Sequence, residues 1–471
     1  MNDLAGPRAA PLLGWPVNVL RFFRDPIGYI DPWAATDPPL FALCRGMQRG
    51  LFRQQAPGAV IALGTEANHA LLSQPEVFHG IALEGPKESD AFARLVRGIF
   101  GMNGEQHRSQ RRLLLPAFHR TYIESAHQTL VELTAQALDA WVPGQTLDVL
   151  PALQDLTLRM AASLLFGLAE GRDAVGLACR MRELQLRILS PWWRIPLRVP
   201  GTPRARLVSL SERIEAEIRA RIADCQRSVD PDARTAIAIL LRSRDETGQG
   251  LREDELIGHS FALFFAGHET TTSALAWTLL LLSQHPGVLH ALRDEVQAVL
   301  QGAPPRVDQL GSLRLLDRVI KESMRLLPPV PLLVRAVAKP TRLYGCDLAL
   351  GTEVILSVHH THRQRDLYAQ PDHFLPSRWE QPEPSPYAYL PFGAGPRKCL
   401  GAALATAELK IILAMLLQRV GFCLPARATV EPQIGIVMAP RQGLPLRLLS
   451  PKDPVPQATR PDVLAPLRIA C

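Results

Sequence analysis

Phe392-Gly393-Ala394-Gly395-Pro396-Arg397-Lys398-Cys399-Leu400-Gly401 is the stretch on which the reading of this chain turns. Glycines at 393, 395 and 401 bracket a single cysteine, and a cation stands two positions before it. An apolar stretch with helical spacing, Ala402 to Leu417, follows at once. A turning loop of this kind aims backbone N–H groups at the sulfur, the start of a helix adds positive potential, and Arg397 adds charge. Together they predict a thiol of lowered pKa, fit to ligate a metal or to act as a nucleophile. A buried, inert cysteine ahead of a helix is the plainer reading, because free cysteine is often core.

The bulk numbers narrow the classes. The chain has 471 residues, 47% hydrophobic and 21% charged, enough to bury a large core and a cofactor. Its net charge is +7, with Lys and Arg scattered along the chain. Nucleic acid is therefore a poor partner, whereas a basic face for an acidic redox protein fits. Cysteines stand at 44, 179, 225, 346, 399, 423 and 471, an odd number without a C-x-x-C pair. That pattern suits neither a disulfide framework nor a zinc site, and it points to a reducing compartment. Pro11-Leu12-Leu13-Gly14-Trp15-Pro16 is too short and too broken to be a signal peptide or an anchor. The expectation is a soluble, cytoplasmic, monomeric protein.

The periodicity predicts a mainly α fold with a small β component. Residues 1–40 read as an irregular, proline-rich lead-in, and 79–101 as a long irregular segment of the kind that carries function. Ala59 to Leu63 is a short β-branched run, with a helix over Thr65–Ser73 after it. Apolar residues at three- and four-residue spacing predict helices over Gln154–Phe166, Ser209–Arg227 and Glu253–Ser283, the last stopped by His285-Pro286. Past 330 the texture turns to strands: Val334–Val337, Arg342–Tyr344, Val354–Val358, 432–438 and 444–449. A proline-rich meander lies between Pro371 and Pro391, and a last helix over Leu400–Arg419. One domain over 1–450 and a disordered tail over 451–471 complete the expectation.

Three further clusters stand out. Glu322 and Arg325 share a helix face at i, i+3, flanked by Val319, Ile320, Leu326 and Leu327, so the pair is expected to be partly buried. Ala266-Gly267-His268-Glu269-Thr270-Thr271 puts poor helix formers in the middle of a long helix, which suggests a local widening with a freed carbonyl. A glycine packed against a neighbouring helix is the alternative. His107 and Arg111 stand at i, i+4 in a basic run whose ordinary reading is a solvated helix face.

The cysteine loop, with these clusters in this order, closely resembles the cytochromes P450 over roughly residues 10–450. By that resemblance the fold is the cytochrome P450 fold, with heme between the Gly267 helix and the cysteine loop. Cys399 is then the thiolate ligand of iron, with Phe392, Gly393 and Gly401 shaping its loop. His107, Arg111, Arg335 and Arg397 hold the heme propionates. Glu322, Arg325 and Arg378 form the structural trio. Gly267 leaves room for dioxygen, Thr270 holds a proton-delivering water and Glu269 relays protons from solvent. Family position assigns the substrate pocket to Phe92, Leu95, Phe264, Val330, Leu332, Leu333, Val437 and Met438, an apolar lining suited to a lipid, terpenoid, steroid or aromatic compound. A carboxylate clamp at Arg49 or Arg53 would extend this to fatty acids. The segment Thr361-His362-Arg363-Gln364-Arg365-Asp366 departs from the Asn-Arg-Asp of many bacterial members.

The implied function is a heme-thiolate monooxygenase, with electrons from NAD(P)H arriving through a reductase and a ferredoxin or flavodoxin, since the chain has no dinucleotide, flavin or iron–sulfur motif of its own. Lys398, Arg108 and Arg112 are the candidate docking cations. A peroxygenase or isomerase on the same scaffold, and a non-catalytic heme sensor, are the alternatives.

Overall fold

The computed structural model describes every residue except 1–3, 12, 37–38, 54, 82–89, 168–171, 190, 196, 198, 228–233, 452, 455, 457–466, 468 and 470–471, and except the side chains of 172–175, 189, 191 and 194. A helix over Glu253–Gln284 is the axis on which the rest is built. Three acids fill its first turn, and the Glu255 carboxylate accepts the Arg252 N–H at 2.9 Å. It stops at His285, the residue before Pro286, as the proline requires. Leu275 and Leu279–Leu282 are completely buried, each contributing about 1.5–3 kcal/mol of apolar burial.

Around this axis pack the helices Val149–Phe166, Asp90–Val96, Arg314–Leu326 and Ala402–Arg419. Among the described residues, Val149–Phe166 is the one helix long and apolar enough to cross a membrane, and most of it is buried inside the fold. Its Thr157 hydroxyl meets the Thr272 hydroxyl of the axial helix at 2.6 Å. Asp90–Val96 is held closer still. A Cβ on Gly98 would lie 2.5 Å from the Gly258 carbonyl oxygen, and Arg94 makes a bidentate pair with buried Glu215 on the Pro203–Arg227 helix, at 2.6 and 2.9 Å.

The main sheet has five strands in the order Leu40–Ala42, Ala59–Ala62, Glu353–Ser357, Leu332–Val337, Phe78–His79. Only the Ala59–Ala62 and Glu353–Ser357 strands run parallel. Glu353 is buried at its edge and gathers the N–H groups of Leu51, Phe52 and Arg53. Alternation along Leu332–Val337 puts Leu333 and Arg335 on one face and Leu332 and Val334 on the other.

The predicted helices and most strands lie where expected, with ends moved by a few residues; the strand expected over 432–438 is instead two antiparallel strands, Pro432–Ile434 and Met438–Pro440. Three other regions differ. The lead-in is not irregular: helices occupy Pro16–Arg24 and Pro26–Ala34, each with proline in its first turn, where the missing N–H has no helical partner to lose. The 79–101 segment contains the Asp90–Val96 helix. Most of the tail, Cys471 included, lies outside the described residues, yet Leu467 and Ile469 are buried against the main core.

Candidate heme and oxygen-activation site

The cysteine loop is fixed by its backbone. Cys399 N–H donates to the Phe392 carbonyl at 2.9 Å, Gly393 N–H to Leu390 and Lys398 N–H to Gly395, both at 3.0 Å. Gly393 and Gly395 adopt φ of 65° and 68°, and a Cβ on Gly395 would sit 2.0 Å from the Leu72 carbonyl oxygen. Phe392 is half-buried against the main core. Gly401 lies against Phe118, with the Cys399 sulfur 4.0 Å from where its Cβ would be.

Cys399 is exposed yet ringed by protein, as a side chain lining a deep recess would be. Burial pushes its thiol pKa up; the Gly401 N–H, Arg111 and Lys398 pull it down without prevailing. The sequence-based expectation of a lowered pKa is therefore corrected for the protein atoms alone. Desolvation outweighs the loop dipoles. Arg397 is not among the cations that act on the sulfur. Its guanidinium is turned away onto the carbonyls of Met102 at 2.7 Å and Phe100 at 2.8 Å.

Beside the cysteine, positive groups collect without a counter-charge. His107 is buried in the Gly104–Leu114 helix, and its pKa falls to about 4 through burial and the nearby Arg397, Arg111 and Arg335. Burial lowers Arg335 to about 10, and burial with Arg335 and Arg111 lowers Arg397 to about 10. Arg335 donates to the carbonyl of its own neighbour Val334, at 2.9 Å. Three guanidiniums and an imidazole, all lowered first by burial, with His107 and Arg397 lowered further by the neighbouring cations and no carboxylate among the groups that shift them, form a seat for a dianionic ligand. The fit to the two propionates of a heme is good. So the His107–Arg111 run is not the solvated basic face of its ordinary reading, although Arg108 and Arg112 at its outer edge are solvated, paired with Glu105 at 3.1 Å and Glu246 at 2.7 Å.

On the axial helix, Gly267 is exposed and Leu263, Ala266 and Thr270 are half-buried, at i, i+3, i+4 and i+7 spacing along one face. A Cβ on Gly267 would meet nothing within 4 Å, so no neighbouring helix demands glycine there. The expected widening is not present: the helix is continuous, and the Thr270, Thr271 and Thr272 hydroxyls donate to the carbonyls of Ala266, Gly267 and His268 at 2.7, 2.9 and 3.0 Å. Glu269 is largely buried. His268 comes first in holding its carboxyl below the usual range, against the upward push of burial, and Arg182 adds to it.

Glu322, Arg325 and Arg378 do come together. Both carboxylate oxygens of Glu322 take Arg325 at 2.9 Å, and Arg378 Nε adds a third bond at 2.9 Å. The pocket residues divide. Phe92, Leu95, Phe264 and Met438 are sealed in packed core at 0–1% exposure, while Val330, Leu332, Leu333 and Val437 stay partly exposed. Leu332 and Leu333 lie on opposite faces of their strand, so one wall cannot use both. Arg49 is exposed, and Arg53 is half-buried with its N–H on Glu353 at 2.7 Å.

Sequence reasoning missed four groups. Glu408 is buried on the Ala402–Arg419 helix that follows the cysteine loop. Desolvation raises its pKa to about 8, and the Thr271 hydroxyl lies 3.4 Å away. A lone acid in the apolar run 407–417 was a legible signal. His362 joins the Arg325 carbonyl at 3.0 Å to the Leu390 N–H at 2.8 Å, just ahead of the cysteine loop. Trp379 donates to Glu322 at 3.0 Å. Arg182, on the Arg172–Leu189 helix, reaches Gln154 at 2.8 Å.

A family model described as Cytochrome P450 matches residues 51–445. Cyclooctat-9-en-7-ol 5-monooxygenase of Streptomyces melanosporofaciens is 31% identical over 430 residues, covering 88% of this chain and 88% of that protein. Cyclooctatin synthase of the same organism is 31% identical over 349 residues, covering 71% and 75%. Retinoic acid bound cyanobacterial CYP120A1 superposes with a TM-score of 0.80 at 26% identity, covering 95% of this chain and 99% of that one. Family model, relatives and fold agree with a lone cysteine facing uncompensated arginines, and the chain belongs to the cytochrome P450 family of heme-thiolate oxidoreductases.

Proposed function

We propose that Cys399 is the axial ligand of the heme and that the enzyme inserts one oxygen atom from O2 into an apolar organic substrate. The observation that carries this is the meeting of Cys399 with unbalanced positive charge from Arg111, Arg335 and Arg397, beside a His107 that burial and those cations keep neutral. When bound, the heme supplies dioxygen activation, with thiolate donation favouring O–O cleavage. The protein groups do the rest. Arg111, Arg335 and His107 seat the propionates, with Arg397 bracing the loop. Because the Thr270 hydroxyl spends its proton on the Ala266 carbonyl, its lone pairs are free to accept from a water and hold it in place. Glu269, ionised, takes protons from solvent and passes them toward that water. Gly267 leaves the space in which this happens.

Val330, Leu333 and Val437 form the nearer apolar wall, with Phe92, Leu95, Phe264 and Met438 as the packed layer behind it and Leu332 on the opposite strand face. A relative named for oxidising cyclooctat-9-en-7-ol, and a related fold holding retinoic acid, support a mostly hydrocarbon substrate of terpenoid size. A spin-state titration of the ferric protein against terpenoid, steroid and fatty-acid panels tests the class; a response confined to fatty acids would overturn it. Electrons come from NAD(P)H through a reductase and a ferredoxin or flavodoxin that docks at Lys398, Arg108 and Arg112. We place the protein in the cytoplasm as a monomer. Reversing the charge at Arg112 is expected to slow first-electron transfer several-fold at low salt; unchanged stopped-flow reduction removes it from the surface.

The reduced, CO-bound absorption spectrum tests the central assignment. The wild type is expected to show the red-shifted band of a thiolate-ligated heme, and Cys399→Ser to lose it; a band that survives the substitution shows that another residue is the ligand. The acid–alcohol pair Glu269 and Thr270 favours a monooxygenase over a peroxygenase, an isomerase or a sensor.

A further inference from the structure

We propose that His268 is a positioning residue for Glu269, donating an imidazole N–H to the carboxylate oxygen that Arg182 also faces. His268 is completely buried, and among the described residues neither ring nitrogen has a hydrogen-bond partner. A buried imidazole N–H left unpaired costs about 1–3 kcal/mol. The charged group within its reach is Glu269 Oε1, 3.5 Å from Nε2, at the outer limit of a hydrogen bond. A movement of half an ångström closes that contact, and nothing else recorded around the ring competes for it.

The ring itself is clamped. Phe264, one turn earlier on the same helix, lies 5.2 Å away centroid to centroid, and Thr272, one turn later, donates to the His268 carbonyl at 3.0 Å. Arg182 Nε stands 3.7 Å from the same Oε1 and has no hydrogen bond among the described residues, while its NH2 is anchored on Gln154 at 2.8 Å. Three helices thus contribute to the placement of Glu269: its own, Val149–Phe166 through the neutral amide of Gln154, and Arg172–Leu189 through Arg182. The charged or titratable groups that act on Glu269 are His268 and Arg182. A plain core histidine would satisfy its N–H on a neighbouring carbonyl; this one is adjacent in sequence to the acid that the proposed relay needs. With the histidine in place, Glu269 is kept from swinging fully onto Arg182, and so stays near Thr270.

This inference rests on the relay reading of Glu269 given above, and the experiment separates the two. Product formed per NADPH consumed is measured on the holoenzyme for His268→Phe, His268→Ala, His268→Gln, Glu269→Gln and the double variant H268F/E269Q, with a substrate chosen by spin-state shift. H268F and H268A are expected to lower coupling at least about threefold, with the lost electrons appearing as hydrogen peroxide. H268Q, whose amide N–H reaches the same oxygen, is expected to recover most of it. In the E269Q background, H268F is expected to add nothing. A denaturant double-mutant cycle on wild type, H268F, E269Q and H268F/E269Q is expected to show coupling between positions 268 and 269. Wild-type coupling in both H268F and H268A overturns the proposal, as does an equal loss in the E269Q background. If E269Q itself couples normally, the relay reading falls; a zero coupling energy in the cycle overturns the positioning role on its own.

Discussion

Glu322 accepts five hydrogen bonds with neither oxygen in contact with water: two from Arg325, one each from Arg378, Trp379 and the Leu375 N–H. Burial pushes its pKa up, but the two guanidiniums win and hold it below the usual range. Arg325 spends its remaining donors on the carbonyls of His362, Pro371 and His373. A buried ion pair of this kind stabilises only because every donor is answered. Glu322→Gln keeps the shape and removes the charge, leaving two buried guanidiniums short of an anion. The expected loss is about 3–5 kcal/mol, read as a fall in the urea midpoint together with poor heme retention. A midpoint within experimental error of wild type would show that the trio is not what holds the meander. E-x-x-R was visible as a pair in the sequence; Trp379 as a further donor was not, because nothing in its neighbours announces where an indole N–H will point.

At the scale of elements, the link from the Arg314–Leu326 helix to the cysteine loop runs through one imidazole. Leu390 N–H donates to His362 Nε2, so the ring proton sits on Nδ1 and goes to the Arg325 carbonyl. Tyr389 stacks on the ring at 5.5 Å, and its hydroxyl donates to the Lys321 carbonyl. Two residues past Leu390, the Phe392 carbonyl receives the Cys399 N–H. His362→Leu strands one donor and one acceptor in the core, at about 1–3 kcal/mol each. The variant is expected to convert from the red-shifted CO band to a thiol-type band faster on mild heating, with product formation falling in parallel. Identical conversion rates would break the link. His362, in the segment that departs from Asn-Arg-Asp, is thus a connection between two elements of the site.

Across the whole molecule, acid is the expected weakness. His259 falls to about 4, His360 and His362 to about 3, and His359 well below its ordinary value, each mainly by burial. All four are neutral in the fold, whereas the unfolded chain protonates them near 6.5. Their contribution to stability is whole above about pH 6.5 and is lost as pH falls toward 3–4, because the unfolded state binds the extra protons. Glu408, raised to about 8, works the other way by one proton, since the fold keeps it protonated where the unfolded chain ionises it. With His107 shifted the same way as the other histidines, the unfolded chain binds more protons than the fold across this range, so stability falls as pH drops from about 6 toward 4.5. Urea midpoints taken across that window should drop steeply; a flat profile would mean that these histidines are charged in the fold.

What the sequence determined by itself was whatever depends on neighbours in the chain. The 253–284 helix, the cysteine loop with its obligatory glycines and the E-x-x-R pair were legible because period, turn chemistry and spacing are local. Only the tertiary structure decided what depends on groups far apart in sequence. The Cys399 thiol pKa turned on burial against Arg111, 288 positions away by number (399 − 111), and not on Arg397 beside it. The lead-in folded as two helices, the second with Pro32 in its interior, where local propensity argues against a helix and the packing of Ile27 and Ile30 into buried positions supports one. Phe92, Leu95 and Phe264 were apolar either way, but whether they pack or line a wall depends on how closely the Asp90–Val96 helix is drawn down by Gly98, Gly258 and the Arg94–Glu215 pair. Desolvation and close approach are properties of the folded volume, so they cannot be read from the order of residues.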